Sequence, residues 1–438
     1  MSKPLLIKVW RTPSLPPWAE RGRILDRKMA QPLERRVKAI VEEVRTQGDA
    51  ALIKFTEKFD KTALDAKDIR VTTEEIKEAY ETVSEEQISA LKFMKEKVET
   101  VEKRTLEQIK IEFEENDIQV RNLPRPIQSV GCYVPGGEVA YPSTLVMTVV
   151  PAKVAGVPRV AVCSPPNTKG LINPLILVAA DICKANEIYK VGGAQAIAAL
   201  AYGTASIKPV RKIVGPGNKY VTMAKILVSR DVAIDLPAGP SEILVLADET
   251  ASPRLVALDM ISQAEHGAES VAGLITTSKE LAENVLSELR KITSSIKRGD
   301  IVNKALSSYG FIIICEKVNE MIELANAFAS EHVEIMTHKP REVADKIVSA
   351  GLILIGPYSP VSLSDYCSGT NHVLPTGGFG HTFSGLSVLD FVRRVGMVEC
   401  SREGLLKVKN NVKVLAEAEN LPNHYKAIEG RFEFEGSR

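Results

Sequence analysis

Histidine is scarce in this chain, six residues in 438. Cysteine is equally sparse. Cys132, Cys163, Cys183, Cys315, Cys367 and Cys400 are scattered and form no C-x-x-C pair, which points to a reducing compartment. Cys163, Cys183 and Cys315 lie in apolar runs, where thiols behave as small hydrophobes. Charge of one sign is not in excess: 56 Lys plus Arg stand against 55 Asp plus Glu. Nucleic-acid and membrane-surface binding need a basic excess or a basic face and find no support in that balance. Long hydrophobic runs are missing, since the best candidate, Thr144 to Val157, is broken by Pro151 and Lys153. The opening MSKPLLIKVW has too short an apolar core for a signal peptide, so a soluble, cytoplasmic protein is expected. G-x-G-x-x-G, G-x-S-x-G, Walker and H-E-x-x-H patterns do not occur. The ordinary Rossmann fingerprint and those hydrolase and phosphotransfer classes therefore fall.

What is present is organised. The length exceeds one ordinary domain. Pro13 to Pro17 reads as an extended lead-in. Residues 1 to about 125 read as mostly helical. Val37, Ile40, Val41, Val44, Ala51, Leu52 and Phe55 are helically spaced, with a break at Gln47-Gly48-Asp49. A further helix opens at Thr72-Thr73-Glu74-Glu75 and is expected to run past Phe93.

From Ser129 short β-branched runs alternate with helical patterns. Strands are predicted at Arg159–Cys163, Ile188–Val191, Lys212–Val214, Glu242–Leu246, Val271–Ile275, Phe311–Cys315, Val333–Met336 and Leu352–Ile355. The alternation predicts parallel, doubly wound α/β sheets, two in succession. After Asp390 the chain reads as short, charged and helical, over Arg402–Ala418 and Pro422–Ile428. Such a tail cannot bury a core alone and should pack on another body. The expected division is a helical region over 1–128, a first α/β domain over 129–236, a second over 237–380 and a C-terminal arm over 381–438.

Three polar clusters hold half of the histidines: Gln263-Ala-Glu-His266, Glu331-His332, and Asp365 through His372. Ser252-Pro253 opens a helix that should end by Gly267, which puts Gln263 and His266 on one face of its last turn. That pair reads as metal ligands, or as a helix end favoured by His near the negative dipole pole. Glu331-His332 falls at a helix-to-strand junction, where adjacent acid and base groups can divide one reaction, or simply sit in a surface loop. Asp365 is read in a long loop at the carboxyl end of the sheet, where ligands gather in open α/β folds, and offers a hard oxygen to a metal. Two glycine-rich strand-to-helix junctions, Val191-Gly-Gly-Ala-Gln195 and Val214-Gly-Pro-Gly-Asn218, present backbone N–H groups suited to phosphate or are plain tight turns. Tyr133 stacks on a planar ring or fills the core.

Taken together, GCYVPGGEVAYPSTLVM, VGGAQAIAALAYGT, KIVGPGN, DLPAGPSEILVLAD, SQAEHGAES, EHVEI, DYCSGTNHVLPTGG and SGLSVLDFVRR resemble the histidinol dehydrogenase family. The resemblance runs in order from about Arg35 onward. It implies two incomplete Rossmann-like domains, related to the aldehyde dehydrogenase fold, and a dimerising tail. It implies zinc held by Gln263, His266 and Asp365 of one subunit and His424 of the tail. It implies a catalytic pair Glu331 and His332, and substrate contacts at Ser241, Gln263, His266, His332, Asp365, Glu419 and His424. NAD contacts are implied at Tyr133, Gln195 and Asn218. Departures from the family pattern are Ser330 before Glu331, Gly380-His381, Ser364 before Asp365, and the tail AEAENLPNHYKA around Glu419 and His424.

The activity this implies is the NAD-dependent, zinc-requiring, four-electron oxidation of L-histidinol to L-histidine, in a homodimer. Two rivals stand beside it. One is a related zinc and NAD dehydrogenase for another small alcohol, such as a sulfonated diol. The other is a zinc hydrolase using water activated by Glu331.

Overall fold

The structure, a computed structural model, describes residues 7–10, 14–15, 27–136, 140–236 and 239–433. The extended lead-in read at Pro13 to Pro17 lies largely outside them. Most of the chain builds two all-parallel sheets, with a small antiparallel one beside them.

The five-stranded sheet uses Ser129–Tyr133, Arg159–Ser164, Glu187–Lys190, Lys212–Val214 and Ala233–Ile234. Numbered in chain order, its strands lie 3-2-1-4-5. Every ladder is parallel, with a reversal of winding between Ser129–Tyr133 and Lys212–Val214. The runs are apolar at their centres, with polar residues mainly at their ends, because both faces are covered. One face packs Val130, Val160 and Ile188 on helices Glu85–Gln108, Pro142–Val154 and Pro174–Ile182. The other packs Ala161, Cys163 and Ile213 on Arg27–Gln47, Asp49–Asp60, Gly193–Tyr202 and Lys219–Val228.

The second sheet repeats the winding. Glu242–Ala247, Val271–Thr276, Phe311–Ile314, His332–Met336 and Leu352–Ile355 again lie 3-2-1-4-5. Lys8–Trp10 adds a parallel edge strand against Phe311–Ile314. Helices Pro253–Ala264, Lys279–Thr293 and Gly299–Tyr309 cover one face, and Val318–Phe328 with Pro340–Ala344 the other.

The sequence reading is corrected in several places. The helix expected from Thr72 past Phe93 is two helices, Thr73–Thr82 and Glu85–Gln108. Ser84 starts the second with a capping box that turns the chain. The region read as helical up to residue 125 ends in a hairpin, Ile111–Glu115 and Ile118–Pro126. The stretch read as helical after Asp390 begins with a nine-residue strand, Val392–Cys400, which pairs antiparallel with Ile118–Pro126. These three strands are polar-rich and largely exposed, so periodicity does not reveal them. Helices Arg402–Ala418 and Pro422–Glu433 then pack on each other. Among the described residues, no helix is long and apolar enough to cross a membrane.

Candidate active site

Glu331 and His332 stand at the amino edge of the second sheet. His332 opens the strand His332–Met336, beside Ile243 of the central strand. Gly351 N–H donates to the Ser330 carbonyl and Leu352 N–H to the Glu331 carbonyl, which pins the entry to the strand. A side chain at Gly351 would collide with the Glu331 carbonyl, so glycine is required by close backbone approach.

Glu242, which sequence reasoning passed over, holds both residues of the pair. Its N–H donates to Glu331 Oε2 at 2.7 Å, and its own Oε2 accepts from Glu331 N–H at 3.3 Å. Its carbonyl lies 3.2 Å from His332 Nδ1, and its Oε1 accepts from Gly377 N–H at 3.0 Å. A carbonyl only accepts, so Nδ1 carries the hydrogen and Nε2 keeps a lone pair. That Nε2 is buried and has no partner. Burial pushes the His332 pKa down. The Glu331 and Asp365 charges and the Glu242 carbonyl outweigh it, and the net direction is up.

Gln263 closes the cluster from the helix Pro253–Ala264. Its Nε2 donates to Glu331 Oε2 at 3.4 Å, while its Oε1 is buried with no donor in reach. His266 follows at the exposed helix end. Asp365 is not in a loop at the carboxyl end of its sheet. It lies in the short helix Val361–Tyr366, which packs on Pro253–Ala264. That packing draws it toward the amino edge, close enough for its charge to act on His332. The Asp365 carbonyl accepts from His372 Nδ1 at 3.0 Å, which leaves His372 Nε2 to accept from the Thr144 hydroxyl at 3.3 Å. Burial lowers the His372 pKa and favours this neutral form.

Thr144 sits in the first turn of Pro142–Val154, the helix that follows the first strand of the five-stranded sheet. The site therefore lies where the amino edge of one sheet meets the carboxyl edge of the other. On the latter edge, Tyr133 ends its strand and its hydroxyl accepts from Gly193 N–H at 3.1 Å. Gln195 is 1 % exposed, and both its amide atoms lack partners. Gly215 has φ of 115°, and a side chain there would strike the Tyr133 carbonyl. Asn218 caps the helix Lys219–Val228, its Oδ1 accepting from Tyr220 and Val221 N–H. Ser241 is half-buried, immediately before Glu242.

Two sequence-predicted residues do not join this assembly. Glu419 and His424 are exposed on the tail, Glu419 at the end of Arg402–Ala418 and His424 in Pro422–Glu433. Among the described residues, no three His, Cys, Asp or Glu side chains gather as a metal-holding group.

The chain is 46% identical over 396 residues to a histidinol dehydrogenase of Clostridium acetobutylicum, covering 90% of this chain and 91% of that one. With a histidinol dehydrogenase of Archaeoglobus fulgidus it shares 44% identity over 400 residues, 91% and 95% of the two chains. The crystal structure of histidinol dehydrogenase from Elizabethkingia anophelis superposes with a TM-score of 0.91 at 36% identity, covering 98% of this chain and 99% of the other. The sequence profile of histidinol dehydrogenase matches residues 25–432, and the chain belongs to the histidinol dehydrogenase family.

Proposed function

We propose that this chain oxidises L-histidinol to L-histidine in two successive two-electron steps at one site, with NAD as acceptor and zinc as a bound anchor. The observation that carries the reading is the pair Glu331 and His332. A lone pair at a buried, unpartnered Nε2 stands next to a carboxylate fixed by backbone hydrogen bonds.

The side chains on the page suit both groups. Gln263 offers a buried carbonyl oxygen without a donor, His266 follows at the end of the same helix, and Asp365 lies in the helix Val361–Tyr366 packed against it. Amide oxygen, carboxylate and imidazole form a donor set compatible with zinc. His424, exposed on the tail, would supply a fourth ligand from a second copy. Gln195 offers a fully buried amide without partners beside the Tyr133 hydroxyl, at the carboxyl ends where dinucleotides bind. Asn218, at the start of the helix Lys219–Val228, extends that surface.

Zinc, when bound, fixes the substrate's amino and imidazole nitrogens, and NAD, when bound, accepts the hydrides. His332 takes the hydroxyl proton at Nε2 as the carbinol carbon is oxidised to the aldehyde. Glu331 takes a proton from the water that adds to that aldehyde. As the hydrate forms, His332 returns its first proton to the aldehyde oxygen; it then takes a hydrate hydroxyl proton as the second hydride leaves to NAD, and the acid so formed loses its remaining proton to give the carboxylate. Ser241 holds the substrate, and Glu419 would join it only from the tail of a second copy. Burial of the pair keeps the reactive aldehyde from bulk water.

The test is stoichiometry and specificity. L-histidinol should yield two NADH per molecule and outcompete a panel of amino alcohols and diols. Preference for a sulfonated diol, or one NADH per substrate, overturns the reading.

A further inference from the structure

One buried ion pair beside the five-stranded sheet has no part in the reaction described above. Lys225 lies in the helix Lys219–Val228 with its side chain 2 % exposed, and Asp235 follows the short strand Ala233–Ile234 with its side chain wholly buried. The Lys225 ammonium faces the Asp235 carboxylate and donates to the Gly215 carbonyl at 2.9 Å and the Leu236 carbonyl at 3.1 Å. Asp235 Oδ2 in turn accepts from Gly215 N–H at 2.7 Å. Both polar groups of Gly215 are thus held by one ion pair. A buried pair repays its desolvation poorly, so stability alone is a weak reason for it. Fixing one arrangement among several is its better-attested use.

What the pair holds is informative. Gly215 follows the strand Lys212–Val214 and opens the loop to Asn218, which caps the helix that carries Lys225. Its φ of 115° is a conformation that glycine alone adopts readily, and a glycine left unheld samples many others. Ammonium and carboxylate select one of them. The loop lies on the edge where Tyr133, Gln195 and Asn218 offer a surface for NAD. At the far end of the connection to the second sheet the anchors are different. There the Thr376 hydroxyl accepts from Gly239 N–H, and the Glu242 carboxylate accepts from the N–H groups of Glu331 and Gly377. The ion pair therefore governs the nucleotide side, and the catalytic side is braced independently.

We propose that Lys225 and Asp235 are positioning residues for the nucleotide: their ion pair sets the Gly215 peptide groups, and with them the loop from Gly215 to Asn218, in the form that receives NAD. The inference rests on the reading of Tyr133, Gln195 and Asn218 as the NAD surface. A loop already in its bound form spares NAD the cost of ordering it.

The experiment measures NADH binding to the full-length protein by fluorescence titration, beside the KM values for NAD and L-histidinol. Both charges are removed together, because a single substitution strands the other charge in the interior. Lys225→Met with Asp235→Asn keeps an acceptor for Gly215 N–H and should weaken NADH by about fivefold, the scale of a lost hydrogen bond. Lys225→Met with Asp235→Leu removes that acceptor as well and should weaken NADH by about 30-fold, the scale of a buried donor left unpaired. The KM for NAD should follow these losses while the KM for L-histidinol stays within about threefold of the parent's, a split that general destabilisation does not produce. NADH affinity equal to the parent's in either folded variant, or equal rises in both KM values, overturns the positioning role. Should the Leu variant not fold, the Asn variant decides alone. A parent protein that binds no NADH refutes the nucleotide reading itself, which is a separate failure.

Discussion

Glu242 and Glu331 grip each other reciprocally, each backbone N–H donating to the other's carboxylate, at 2.7 Å and 3.3 Å. The Glu242 carbonyl also fixes the His332 tautomer, and its second carboxylate oxygen holds Gly377. One residue thus braces the catalytic side chains through its backbone, and the Glu331 backbone and the loop at Gly377 through its carboxylate. Glu242→Ala should lower kcat for L-histidinol by about 100-fold, the scale of a small misplacement of catalytic groups. Glu242→Gln keeps one acceptor oxygen and should retain more activity than the alanine. Steady-state NADH formation decides it, and an alanine variant within threefold of the parent would remove Glu242 from the machinery.

Glu331 and His332 should separate by half-reaction. If Glu331 serves the addition of water, Glu331→Gln still passes one hydride from histidinol but oxidises histidinal more slowly, by about 10²- to 10⁴-fold. His332→Asn should impair both steps. Single-turnover measurements with each substrate report the two steps independently. Equal loss of both in the Glu331 variant sinks this division.

Glu102 gives a stability prediction with a definite sign. It is buried, and burial raises its pKa to about 7 from the ordinary 4.5, although its Oε2 accepts from Val388 N–H at 2.7 Å. The folded state keeps this proton longer than the unfolded chain. The contribution of this group to stability is therefore greatest below about 4.5 and is lost as pH rises to about 7, by on the order of 3 kcal/mol. Glu102→Gln keeps an acceptor for Val388 and lacks the ionisation. Its thermal midpoint should match the parent near pH 5 and exceed it near pH 8. A gap independent of pH refutes the assignment.

Exchange of tails between two copies is tested with a hybrid dimer of one Glu331→Gln and one His424→Ala subunit. If the tails cross, one site collects both defects and the other none, and about half of normal activity returns. Purified hybrids that remain dimeric but as inactive as their parents would refute the crossed arrangement.

The two parallel sheets were legible because their strands are buried on both faces and read as unbroken apolar runs. Glu331, His332 and Gln263 stood out because polar residues clustered where a helix end meets a strand. Glu242 did not, since a carboxylate opening a strand ordinarily faces water. Its signal was a charged residue at the head of the wholly apolar Ile243–Ala247. The antiparallel strands stayed hidden because their polar alternation resembles that of an exposed helix, and their partners lie far apart in the chain. Asp365 was misplaced because Gly369, Pro375 and Gly377 suggest a loop, whereas Val361–Tyr366 completes a helical turn before them.

The antiparallel sheet has a consequence for the order in which the molecule is made. Ile111–Glu115 and Ile118–Pro126 are adjacent in sequence, but the other partner of the second strand, Val392–Cys400, is made far later. Until that distant segment is synthesised, the Ile118–Pro126 strand presents an open edge able to template association with a neighbouring nascent chain. A chain stopped before Val392 would lack the partner of Ile118–Pro126 and keep that edge open however well its parallel sheets have formed.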